Sequence, residues 1–120
     1  MVDDYRKGWA LRYLREAKDE IRASTKNLAS LDLIIDAARK AQAAIYFVLG
    51  DPISIQSIVN QALLDGKPVE NPVLRCLVGI ERAVQRMESL HPSRHREALK
   101  DAEEIVNIAS DIVDLITSED

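Results

Sequence analysis

Apolar positions recur at helical spacing from one end of this chain to the other, and no stretch of any length alternates as a strand would. The strongest run is 31–49, LDLIIDAARKAQAAIYFVL. Leu31, Ile34, Ile35, Ala38, Ala41, Ile45, Val48 and Leu49 give it a wide apolar face, which Ala37 and Ala44 extend with small side chains. Asp32, Asp36, Arg39 and Lys40 leave one narrow stripe for water. A helix apolar around most of its circumference belongs at the centre of a bundle. The same four charges exclude a membrane span, since each would cost roughly 2.5–3.5 kcal/mol near a bilayer centre.

The flanking segments read as partners for that helix. A first helix over 3–27 carries a seam of Ala10, Leu14, Ala17, Ile21, Ser24 and Leu28, with Tyr5, Trp9 and Tyr13 stepping by four along its flank and Arg15, Asp19, Arg22 and Lys26 toward water. The spacing predicts an aromatic row that covers the end of a core, its polar atoms wetted. Asn27 ends this helix and Ser30 caps the next. Gly50-Asp51-Pro52 is a stop and restart, so a third helix runs over 52–65 with Ile55, Ile58, Val59, Ala62 and Leu63 inward. Gly66 closes it, and Asn71-Pro72 starts a fourth with Val73, Leu77, Ile80, Val84 and Met87 buried. Leu90 precedes the His91-Pro92 stop. Ser93 is expected to cap a fifth helix over 94–117, with Ala98, Ala102, Ile105, Ala109, Ile112 and Ile116 inward, widened by Leu99, Val106 and Val113. The tail 118–120 is expected to fray. Five helices on short connections predict an all-α fold, an up-and-down bundle of four to five antiparallel helices in one domain, 1–120. The shortest, the third, is expected across one end.

Composition changes this picture little. A length of 120 residues, 47% hydrophobic and 30% charged, suits one core. A formal net charge of -4 removes any global bias toward nucleic acid or anionic lipid, so such affinity requires a local patch. One cysteine, Cys76, precludes an internal disulfide and reads as a small core residue. The opening MVDDYRKGW lacks the apolar core of a signal peptide, so a cytoplasmic protein is expected.

Candidate chemistry is sparse. There is no Gly-rich phosphate loop and no Glu-x-x-His pair, and Pro92-Ser93 interrupt the helix that His91 and His95 would need to share a metal; no metal or cofactor is expected. Arg75, Arg82 and Arg86 follow a seven–four spacing opposite the fourth helix's apolar stripe, and Arg94, Arg96 and Lys100 come soon after. Folded together, these cations make a basic corner able to hold phosphates, which Glu81, Glu88 and Glu97 are expected to dilute.

At the close of that helix, Arg86-Met87-Glu88-Ser89-Leu90-His91 places an arginine and a histidine around four residues. The segment resembles the arginine-to-histidine motif of the higher eukaryote and prokaryote nucleotide-binding (HEPN) domains. Trp9 through Ala17 and the Ala-rich 37–42 are similar to those domains as well. The resemblance implies a small, often dimeric helical bundle, either a metal-independent ribonuclease or a non-catalytic partner of a nucleotidyltransferase. In the ribonuclease case His91 would exchange a proton with the RNA 2′-hydroxyl or the leaving oxygen, and Arg86 would stabilise phosphate charge. Those ribonucleases usually carry a polar residue such as Asn directly after the arginine. Met87 stands there in this chain, so the resemblance implies the form without catalysis.

The expected function is therefore protein association without catalysis, as a homodimer first and with another protein as an alternative. Leu11, Phe47, Leu64 and Val78 fall off the main stripes and are candidates either to face a partner or to fill gaps in the core. An RNA- or nucleotide-directed role at the Arg86–His91 corner is the alternative.

Overall fold

Capping and proline chemistry set the helix boundaries. The computed structural model describes residues 2–27 and 30–118; Leu28 of the expected first seam and the end of the tail lie outside them. Five α-helices follow one another: α1 (Asp4–Asn27), α2 (Leu31–Leu49), α3 (Pro52–Asp65), α4 (Pro72–Glu88) and α5 (His95–Thr117). The Ser30 side chain accepts from the Leu33 N–H, Asp51 from Ser54 at 3.1 Å and Asn71 from Leu74 at 3.0 Å, each satisfying a free N–H of a first turn. Pro52 and Pro72 sit just inside α3 and α4. Gly66 closes α3 in the left-handed region, at φ 66°, where a side chain would be strained.

The start of α5 corrects the expected cap. Ser93 is not the cap: Pro92–Arg94 form a 3-10 turn, and His91, which precedes and caps it, accepts the Ser93 N–H on its own Nδ1 at 3.1 Å. Proline supplies the φ that such a tight turn needs, so the chain turns once before α5 begins at His95, without a side-chain cap. At the other side of this turn, α4 ends at Glu88, short of Leu90.

All four other helices pack on α2. Ala37, Ala38, Ala41, Ala44 and Ile45 of α2 have no accessible surface, and neither do Ala10 and Ala17 of α1 or Ala98, Ala102 and Ala109 of α5. Small side chains on three facing helices let their backbones approach closely, and α1, α2 and α5 contact one another pairwise. Phe47 meets Trp9 and Tyr13 while Lys40 meets Glu16 and Glu20, so α1 and α2 run antiparallel. α3 and α4 pair with each other on α2, and α4 also reaches α5. The molecule measures 40 × 34 × 19 Å, about two helix layers thick. Among the described residues no helix is long and apolar enough to cross a membrane.

Three placements differ from the apolar pattern. Val73 and Ile58, expected inward, are exposed, and both line an open apolar groove of about 380 Å³ with Leu49, Ile55, Leu74 and Leu77. Val78, off the main stripe and open to either a partner face or a gap in the core, is buried in the core. Cys76 is half-buried against the core.

Candidate functional site

The basic residues of α4 do not form one corner. Arg82 and Arg86, one turn apart, line a shallow depression with Gln85, Ser89 and Leu90. Arg75 lies further toward the start of the helix, its guanidinium donating to the carbonyls of Val69 and Glu70 at 3.0 and 3.3 Å. Arg94 pairs with Glu97 at 2.8 Å on α5, which lowers its value as a phosphate ligand. Arg96 and Lys100 are exposed on α5 and line neither the depression nor the groove beside Arg75. His91 is exposed, and its Nδ1 is engaged by the Ser93 N–H and by the Ser93 hydroxyl at 2.8 Å. It therefore serves its own turn and does not line the Arg82–Arg86 depression.

The expected dilution by glutamates is half overturned. Glu81 is buried at 3% exposure, and Glu88 turns the same way; both are held by Arg39 of α2, at 2.7 and 2.6 Å. Gln42 donates to the Glu81 carboxylate at 2.7 Å and to the Tyr46 hydroxyl at 3.1 Å, and Gln85 donates to the other Glu81 oxygen at 2.9 Å. Arg39 thus belongs to a clasp between α2 and α4 rather than to a water-facing stripe. Burial alone would raise the Glu81 carboxyl, but the Arg39 bond and charge and the two amides hold it below its ordinary value. The Tyr46 phenol is pushed up to about 12, first by burial and then by the Glu81 charge.

Lys40 likewise leaves the expected stripe. It joins Glu20, Asp36 and Glu16 across the α1–α2 seam, its pKa raised by its bonds to Glu20 and Asp36. Burial raises Glu20, and the neighbouring Asp36 adds to that. Asp36, despite its own desolvation, is held low by its bonds to Glu20 and Lys40.

One cluster was only half visible in the sequence. Trp9 stacks on Phe47 with ring centroids 6.3 Å apart, Tyr13 stacks on Phe47 at 5.9 Å, and Tyr5 meets Trp9 edge-on at 6.4 Å. Four of the chain's five aromatic residues therefore gather on the outer face of α1 and α2. The Arg12 guanidinium lies 5.0 Å from the Trp9 ring centroid. The row along α1 was legible from its spacing of four; the arrival of Phe47 depends on how the hairpin closes.

Fold and sites together define an all-α helical bundle with a buried ionic clasp and an aromatic outer face. No family model matches the chain, and neither the curated proteins nor the solved structures yield a significant match.

Proposed function

We propose that this protein is a non-enzymatic helical module that acts by protein association, with a second copy of itself as the first partner. The aromatic face of α1 and α2 carries this reading. Tyr5 is 70% exposed, Trp9, Tyr13 and Phe47 are half-buried, and Arg12 borders them. Tryptophan, tyrosine and arginine are the residues that most often dominate interface energetics, because a large rigid surface is buried at little entropic cost. Ile53 and Leu64 of α3, 81% and 82% exposed, add apolar surface elsewhere. Sedimentation together with the emission of Trp9, the only tryptophan, tests the reading. Association moves the emission to the blue as concentration rises, and Trp9→Ser shifts the distribution toward monomer. A wild-type chain that stays monomeric at millimolar concentration removes the proposal.

One observation favours a second reading, a HEPN-like, RNA- or nucleotide-directed role at the Arg86–His91 corner. With Glu81 and Glu88 drawn to Arg39, Arg82 and Arg86 keep their charge. If that corner cleaves RNA, Arg86→Ala and His91→Ala abolish cleavage with the fold intact; equal cleavage by wild type and variants, or none by either, removes it.

A further inference from the structure

The cations of α4 point to a ligand that neither the aromatic face nor the Arg86–His91 corner accounts for. On the side of α4 facing the α3–α4 connection lies an open groove of about 540 Å³, lined by Lys67, Val69, Arg75, Gly79 and Arg82 among others. Arg82 also lines the neighbouring depression that holds Arg86, so one side chain borders both concavities. No carboxylate lines either of them. Among the described residues Lys67, Arg82 and Arg86 have no ion-pair partner, and the two glutamates of α4, Glu81 and Glu88, pair with Arg39 of α2. Arg75 is oriented by two backbone carbonyls, which fix the plane of its guanidinium without neutralising its charge. Gly79, between Arg75 and Arg82, has open space where a side chain would stand, so a ligand can approach the helix there.

We infer that this strip is a binding track for a linear chain of phosphates. At 1.5 Å per residue, Arg75 and Arg82 stand about 10 Å apart along the helix and Arg82 and Arg86 about 6 Å apart, a row too long for one phosphate and suited to several in succession. The chemistry is shared by the backbone of a single-stranded nucleic acid and by inorganic polyphosphate. Affinity at such a track comes from displaced counterions and falls steeply with salt.

Titrating the full chain at low salt with a labelled oligouridylate and, separately, with long-chain inorganic polyphosphate tests the track. Binding of either supports it, and the arm that binds identifies the source. Lys67→Glu combined with Arg82→Glu, both exposed, weakens binding by about tenfold or more and lowers the logarithmic salt slope by about 2. Lys18→Glu combined with Arg22→Glu on α1 makes the same charge change elsewhere and leaves affinity within about twofold. His91→Ala leaves affinity unchanged, which separates the track from the Arg86–His91 corner. No binding of either polyanion, an equal loss in the α1 control, or equal affinity for tripolyphosphate and the long chain overturns the inference.

Discussion

The two halves of this bundle are held together by different physics. In the frame of α1, α2 and α5, fully buried alanines stand on all three mutually contacting helices, and such small apolar side chains supply contact without demanding any one partner. In the arm of α3 and α4, Val59 is the only buried residue of α3, and Ile53, Ile58, Leu64 and Val73 remain open to water. That arm is anchored mainly through α4, by the buried stripe of Leu77, Val78, Ile80, Val84 and Met87 and, beside it, by the clasp of Arg39, Gln42 and Glu81. Apolar packing tolerates small slips between helices, whereas a buried carboxylate does not, since it must find its donors in one place. The difference teaches that the frame accounts for most of the stability and the clasp fixes where α4 sits.

The largest expected effect lies in the frame. Ile45 is fully buried on the helix that touches all the others, so Ile45→Ala leaves a cavity in the shared core. A loss of about 3–4 kcal/mol is expected in denaturant unfolding. A loss under about 1 kcal/mol would mean that the frame closes over the gap and is looser than its buried alanines imply.

The clasp comes next. Glu81→Ala leaves Glu88 as the one carboxylate on the Arg39 guanidinium and the Tyr46 hydroxyl as the one acceptor for Gln42, at a cost of about 3 kcal/mol; Arg39 is one-third exposed, so water limits the penalty to the low end for a broken buried pair. The pH dependence gives the sign. The folded pKa of Glu81 lies below its ordinary value of 4.5, so the unfolded chain binds more protons between the two. The stabilisation is fully present above 4.5 and is lost as pH falls through the folded value. Glu81→Gln, whose amide does not titrate, flattens that part of the stability profile; an unchanged slope would place the acid sensitivity elsewhere.

The sequence made the helices legible because caps and prolines act within three or four residues. Gly50-Asp51-Pro52 and Asn71-Pro72 leave the chain little choice locally. The same locality misled at Ser93, where His91, two residues earlier, could also cap and its ring reached the Ser93 N–H. Periodicity gives the angle of a side chain around its axis but not whether a neighbouring helix extends that far, which is why Ile58 and Val73 were read as buried. The clasp joins residues 42 positions apart, beyond any helical period. A signal was nonetheless present: Glu81 stands four residues after Leu77 and three before Val84, on the apolar stripe, where a charge requires a buried partner. The basic strip was legible as a row of arginines. Its freedom from glutamate was not, because that follows from which way Glu81 and Glu88 turn.

The smallest expected effect is the most discriminating for how the two halves are used. Leu64 stands on the outer face of α3 at 82% exposure, so truncating it removes almost no packing from the folded chain. Leu64→Ala should change unfolding stability by no more than about 0.5 kcal/mol in dilute solution, and should leave the mass read by light scattering unchanged if α1 and α2 carry the association. A larger loss that grows with protein concentration would show that Leu64 is covered in an assembly. In that event the arm, rather than the aromatic face of the frame, is where a second copy docks. Its few buried contacts would then be a consequence of describing one copy alone, and the contrast between the two halves would narrow accordingly.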